Sequence, residues 1–384
     1  MMDYLRLDEV CNLNMGQSPS SDSYNQEGKG IPFFQGNADF GELYPITRVW
    51  CDEPTKIVDK GTLLISVRAP IGALNFATEK SCIGRGLAGL TVKAGYDLKY
   101  IYYVLKFKEQ ELNNKGTGST FKAISKSSLG EVLVPDISIG KQKDYVKKLD
   151  LIQRMLVDEK KQMVQLDMLI KSRFIEMFGE LLLNPMAWNE YPLGAVCDKV
   201  VRYPTFYGME YLPSGTRVIR IGNILPDGHM ELDDENYVFV YDTVNEDFPE
   251  TVIELNDIIM AVRGDGSAAK RIGIITEPSL IDANISPNLI RIKVNNTMLN
   301  PIYLFYYLTG EVGQKRLDAY VNKTAKKNVA AKDIVKIVTP VPPLPLQNDF
   351  ASFVHQVDKL KVAAQETLNE TQKLFNSLMQ QYFG

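Results

Sequence analysis

Residues 141–179, KQKDYVKKLDLIQRMLVDEKKQMVQLDMLIKSRFIEMFG, align without a gap against residues 346–384, LQNDFASFVHQVDKLKVAAQETLNETQKLFNSLMQQYFG. Gln142 meets Gln347, Asp144 meets Asp349, Tyr145 meets Phe350, Ser172 meets Ser377, and Phe178-Gly179 meets Phe383-Gly384. Few residues are identical, but the apolar positions coincide. In the first segment, positions 149, 152, 156, 159, 163, 166, 170, 173 and 177 hold Leu, Ile, Leu, Glu, Met, Leu, Ile, Arg and Met. Steps of three and four with apolar residues at most stops make a heptad seam, interrupted at Glu159 and Arg173. The matching positions from 354 to 382 hold Val, Val, Lys, Ala, Leu, Thr, Phe, Leu and Tyr, a second seam of the same length. Each segment ends at a glycine suited to close a helix. At about 1.5 Å per residue, such a helix spans roughly 57 Å, longer than a domain core needs. The pattern predicts two long helices that pair as a coiled-coil rod.

The repeat continues upstream. LDEVC (7–11) resembles LGAVC (193–197), and Gly36-Asn37 matches Gly222-Asn223. DKGTLLISVR (59–68) parallels ELNDIIMAVR (254–263), and YIYYVL (100–105) parallels YLFYYL (303–308). SSLGEVLVPDISIGKQKDY (127–145) lines up with KDIVKIVTPVPPLPLQNDF (332–350), so the proline run has a counterpart that keeps only Pro135. The run therefore reads as a rigid elbow between domain and helix rather than a peptide ligand. It is expected to stop the last strand, with Gln347 and Asp349 opening the helix. Short β-rich runs with turn signals at Asp227-Gly228 and Asp265-Gly266, followed by one aromatic helical segment, give α+β domains. The expected order is a domain over 1–140, a helix over 141–180, a second domain over 181–345 and a helix over 346–384. The two helices are read as one coiled-coil rod that accompanies two similar domains. Asn184-Pro185 marks the break after the first helix.

Composition excludes several function classes. No run of about 18 apolar residues offers a membrane span, and the acidic start MMDYLRLDEV is unlike a signal peptide. Four scattered cysteines without a CxxC pair, and only two histidines, argue for free buried thiols rather than a zinc site or disulfide framework. There is no phosphate-binding GxxxxGK[ST] loop. The Asn/Asp-Pro-Pro-aromatic tetrapeptide of an adenine methyltransferase is absent, its nearest approach being Asn184-Pro185-Met186-Ala187. The chain reads as a binding protein, not an enzyme. Its net charge of −4 means that any grip on nucleic acid must come from local basic patches.

Two such patches recur at one place in the repeat, after the aromatic segment and before the long helix. Residues 99–126 carry six Lys against two Glu, and residues 315–336 carry seven Lys/Arg against two Asp. The first contains Thr117, Ser119, Thr120, Lys122 and Lys126; the second contains Lys323, Thr324, Lys326, Lys327 and Asn328. Lys, Ser and Thr suit phosphate contacts, while Asn and Arg also read base edges. Arg68 and Arg263, each after an apolar strand, form a further pair. Arg220, Asn223, Lys270 and Arg271 complete the DNA-binding candidates. The aromatic segments read as helix cores rather than stacking platforms.

Two divergent domains, each followed by a long helix introduced by a P…Q.(D/E) segment, resemble the specificity subunit of a type I restriction–modification system. The resemblance spans the whole chain and is carried by KTAKKNVAAKDIVKIVTPVPPLPLQNDF and GSTFKAISKSSLGEVLVPDISIGKQKDY, with LLISVRAPIG and IIMAVRGDGSAAKRIG. It implies that each domain reads one half of a bipartite sequence in double-stranded DNA. It further implies that the two helices pack as an antiparallel coiled coil with pseudo-twofold symmetry, set the half-site distance and dock two methyltransferase subunits, with restriction subunits added. S-adenosylmethionine, ATP and magnesium are then expected on those partners and no cofactor on this chain, which would work in the cytoplasm. The residues alone leave two other readings open: a coiled-coil adaptor that does not bind DNA, and a nuclease with an unrecognised site.

Overall fold

The computed structural model describes residues 3–117, 122–202, 210–262, 271–320 and 330–384. Two 40-residue helices, Ile139–Phe178 and Leu344–Phe383, are present, and the first closes at Gly179 in the left-handed region (φ 74°). The chain divides into two compact units, residues 1–161 with 365–384 and residues 162–364, so each unit holds part of both helices. Every position of the two heptad seams is buried or half-buried. The pairing is antiparallel. In the first unit Tyr145 stacks on Tyr382 with ring centroids 3.7 Å apart. In the second, Phe174 and Phe178 pack on Phe350 at 5.3 and 5.5 Å. The polar interruptions are used. Thr371 Oγ1 donates to Glu159 at 2.9 Å in the first unit, and Lys361 pairs with Asp167 at 2.5 Å in the second. Polar contacts inside an apolar seam are satisfied in one register only, which makes them register markers more than sources of stability.

In the first unit, a four-stranded antiparallel sheet runs in the order Cys11–Met15, Leu87–Val92, Leu63–Ser66, Leu74–Phe76. All four residues of Leu63–Ser66 are buried, which explains why Leu63, Leu64 and Ile65 run apolar without alternation. A second sheet of short strands places Phe33-Phe34 parallel to Cys82-Ile83. Helix Leu98–Phe107 buries Tyr100 through Leu105, and Asp97 caps its first turn through the amides of Lys99 and Tyr100. The aromatic segment is thus core. The strand Tyr4–Arg6 pairs with Leu133–Pro135 directly before the long helix.

The second unit repeats this plan. Its four-stranded sheet runs Cys197–Arg202, Leu289–Val294, Ile258–Ala261, Ile272–Ile274, again wholly antiparallel with a buried central strand. Val218-Ile219 lies parallel to Asn284-Ile285, as Phe33-Phe34 does to Cys82-Ile83. Helix Pro301–Thr309 buries its aromatic face, and Asn189–Pro192 pairs with Val338–Val341.

One residue pair anchors each long helix to its own domain. Gln142 is fully buried; its amide donates to Gly95 O (3.3 Å) and Ile137 O (2.8 Å) and accepts from Asp97 N (2.9 Å). Gln347, equally buried, donates to Met298 O (3.1 Å) and Pro342 O (2.7 Å) and accepts from Asn300 N (2.8 Å). Each glutamine therefore ties the first turn of its helix to the cap of the aromatic helix. The proline run differs from its expected role. Pro340 lies inside the last strand, opposite Glu190, in a two-stranded sheet where a missing N–H leaves no ladder bond unmade. The helix already begins at Leu344, with Pro345 in its first turn, where an N–H has no intrahelical partner to lose. Pro135 and Pro340 are equivalent, since Tyr100 and Tyr303 donate their hydroxyls to these two carbonyls at 2.8 and 2.9 Å.

Candidate nucleic-acid interface

In the first unit, Thr117 and Ala123 exchange backbone hydrogen bonds of 3.0 Å each. Ala69 N donates to Lys122 O (3.0 Å) and Ile124 N to Val67 O (2.9 Å), tying this segment to the end of the central strand. The result brings Arg68, Thr117 and Lys122 together, all exposed. Lys126 is also exposed and opens a short helix capped by Ser125, whose Oγ accepts from Ser128 N at 3.1 Å. None of Arg68, Lys122 and Lys126 ion-pairs with a described residue.

The rest of the basic stretch is occupied. Lys99 pairs with Asp150 at 2.5 Å, and Lys108 and Lys115 both pair with Glu111. Lys106 is held over the rings of Tyr102 and Phe375 and donates to Gln153, and burial lowers its pKa. Four of the six lysines thus serve the fold, leaving Lys122 and Lys126 for a ligand. In the second stretch, Lys315 pairs with Glu311 and Lys336 with Asp333. Arg316 pairs with Glu190 and donates to Val338 O and Leu181 O. Ser119, Thr120, Arg263, Lys270, Lys323, Thr324, Lys326, Lys327 and Asn328 lie outside the described residues.

Asn223 lies inside the fold rather than at its surface. It is 2% exposed, and its amide is committed at both ends: Oδ1 accepts from Arg220 N (2.8 Å), and Nδ2 donates to Asn236 O (3.0 Å). It caps a tight turn, and its burial keeps the rest of the amide from the surface. Asp39, which accepts from Gln35 N at 2.7 Å, plays the same part in the first unit, so Asn37 is not the counterpart of Asn223. Arg220 and Arg271 are half-buried beside this turn, donating to Asn236 O and Ile224 O. Nearby, Asp227 and His229 pair at 3.2 Å. The hydrogen bond between them raises the imidazole pKa and pushes the carboxyl down to about 2.

One exposed arginine escaped the sequence reading. Arg85 sits in a Gly84-Arg85-Gly86 turn beside the Val67–Arg68 segment, since Val67 N donates to Gly86 O at 2.9 Å. A long cation between two glycines was the available signal. Among the described residues, no group of His, Cys, Asp and Glu could hold a metal. The cysteines are free; burial pushes the Cys11 and Cys197 thiols up to about 12, far from a reactive thiolate. No helix among the described residues is long and apolar enough to cross a membrane. What the surface offers is rigidly mounted hydrogen-bond donors and positive charge.

Comparison with known proteins points the same way. A family model described as the type I restriction modification DNA specificity domain matches residues 2–166 and 185–372. The chain is 42% identical over 154 residues to the putative type I restriction enzyme MjaX specificity subunit of Methanocaldococcus jannaschii. That match covers 40% of this chain and only 36% of the relative. The MjaIX specificity subunit of the same organism is 24% identical, with 98% of this chain and 91% of that protein aligned. The EcoBI specificity subunit of Escherichia coli is 20% identical, with 98% and 83% aligned. The crystal structure of a type I restriction-modification S subunit from M. genitalium shares the fold at a TM-score of 0.58 and 18% identity, covering 100% of this chain and 96% of that one.

Proposed function

Since the chain belongs to the type I restriction modification DNA specificity family, we propose that it selects the DNA sequence on which partner subunits act. Each domain reads one half of a bipartite double-stranded target, and the chain itself performs no chemistry. The observation that carries this reading is the duplicated architecture. Two units of one topology are each anchored by an equivalent buried glutamine to the start of a long helix, and the first presents Arg68, Lys122 and Lys126 exposed. Two related readers in one chain suit a split site better than a continuous one, as paired modules on DNA suit paired half-sites.

The long helices supply the partner surface. Exposed apolar side chains recur at repeat-related positions: Met155 (43% exposed) with Leu360 (58%), and Leu169 (47%) with Leu374 (51%). Apolar side chains kept exposed in pairs mark contact sites for other proteins, and their duplication fits two copies of one partner. Those partners are the methyltransferase subunits, which carry S-adenosylmethionine and the methylation of adenine. Restriction subunits with ATP and magnesium add cleavage of unmodified DNA. Bringing an adenine to a methyltransferase requires its extrusion from the stack, so this chain's part is placement. The test is to purify the chain with the methyltransferase encoded beside it and map modified adenines. Modification at a split motif only when the chain is present supports the reading. Modification that is independent of the chain contradicts it, as an adaptor without DNA contacts would require. Metal-dependent cleavage by the isolated chain would instead show a nuclease.

A further inference from the structure

Three backbone segments of the first unit touch with no room for side chains between them. A Cβ on Gly16 would lie 2.1 Å from Gly84 O, and one on Gly86 would lie 2.2 Å from Gln35 O. Hydrogen bonds lock the contact: Gln17 N to Ile83 O (3.0 Å), Gly84 N to Phe34 O (2.8 Å) and Leu87 N to Gly84 O (3.0 Å). Arg85 N itself donates to Ser18 Oγ at 3.3 Å. The Val67–Arg68 segment joins through Val67 N and Gly86 O. Around this junction Gln17, Gln35, Arg68 and Arg85 are all exposed. None of the four makes a side-chain hydrogen bond or ion pair with a described residue. Arginine and glutamine are the side chains whose paired donors and acceptors fit guanine and adenine edges in the major groove. Mounting them on a rigid backbone lowers the ordering cost of contact.

The second unit keeps the backbone of this turn and changes its side chain. Ser286 N donates to Ile219 O (2.9 Å), Leu289 N to Ser286 O (3.0 Å) and Val262 N to Asn288 O (2.9 Å), matching the bonds at Gly84, Leu87 and Gly86. Pro287 therefore stands where the first unit has Arg85. Anchoring positions such as Gln142 and Gln347 are retained across the repeat, whereas this turn position, exposed at Arg85 and half-buried at Pro287, is not. Retained backbone with exchanged side chains is what two readers of different half-sites require.

We propose that Arg85 is a specificity-determining residue of the first domain, its guanidinium forked onto O6 and N7 of a guanine. The proposal rests on the DNA-reading function above and assigns the letter that one side chain reads. The experiment compares the native chain, Arg85→Ala and Arg85→Lys, each in complex with its methyltransferase. It maps modified adenines and measures retention of target duplexes mutated one base pair at a time, at several salt concentrations. Arg85→Ala is expected to lose preference at a single G·C pair in one half-site, by roughly 10- to 100-fold. The other half-site stays intact, and Arg85→Lys falls between. Uniform weakening across all sequences with a shallower salt slope would make Arg85 a phosphate contact and overturn the assignment. So would an unchanged preference, or a first-domain half-site without a G·C pair. If the native complex shows no split motif at all, the DNA-reading function fails rather than the choice of residue.

Discussion

Replacing Gln347 with Leu tests how the second domain is fixed to its helix. The substitution nearly conserves volume, so it removes three hydrogen bonds without opening a large cavity. Three backbone groups are stranded: Asn300 N–H, Met298 O and Pro342 O, now at 2.8, 3.1 and 2.7 Å from the amide. Each buried group left unpaired costs about 1–3 kcal/mol, less where water can enter. Asn300 and Met298 are half-buried and Pro342 is buried, so a total of about 3 kcal/mol is expected. The chain has two tryptophans, Trp50 in the first unit and Trp188 in the second. In a Trp50→Phe background, fluorescence follows the second unit, where Trp188 donates to Phe178 O at 3.0 Å. With a urea dependence of about 2–3 kcal/mol per M, the unfolding midpoint should fall by roughly 1 M. A midpoint within about 0.2 M of the parent, about 0.5 kcal/mol on that slope, would refute the anchoring role, because the stranded groups would then cost nothing. Gln142→Leu, followed through Trp50 in a Trp188→Phe background, should behave alike in the first unit.

Arg291, 1% exposed, bonds Asp257 and Glu254 at 2.7 Å each and Glu250 O at 3.1 Å. Arg291→Met should cost about 3–5 kcal/mol in urea unfolding at neutral pH by leaving the Asp257 carboxylate buried alone. Burial already pushes Asp257 up, so the deficit should shrink as pH falls and the carboxyl protonates; a pH-independent deficit would contradict this. His229, raised above 6.5 by Asp227, stabilises the fold fully below that value and loses its contribution as pH rises through the raised one. Stability measured from pH 6 to 9 should decline in the parent, and Asp227→Asn should remove that decline. For DNA retention by the complex, Arg68→Ala and Lys122→Ala should each reduce the magnitude of the log–log salt slope by about 1 if they neutralise phosphates. The triple change Lys323→Ala, Lys326→Ala and Lys327→Ala should reduce it by about 3.

The repeat and the helix pair were legible because both are written in periodicity. A seam such as Leu149, Ile152, Leu156 has one physical meaning at that spacing. The meaning of Gln142 and Gln347 was not legible, although they align, because two of the three backbone partners of each lie 45 to 49 residues away in sequence. The place of Asn223 in the fold was not legible for a related reason. The Gly-Asn pairing suggested a counterpart at Asn37, whereas the turn is capped by Asp39 in one unit and Asn223 in the other. Charge counts also overstate a surface. Lys99, Lys106, Lys108 and Lys115 look like a patch in sequence, yet fold contacts engage all four. The proline run was correctly placed at the junction, but Pro340 belongs to the strand and Pro345 to the helix.

The central claim, that two independent readers share one frame, is tested most directly by exchange. Residues 186–345 are replaced with the second domain of another family member, and the modified adenines of the resulting complex are mapped. One half of the split motif should change to the donor's while the other half and its spacing persist. Change in both halves, or in neither, would contradict the account.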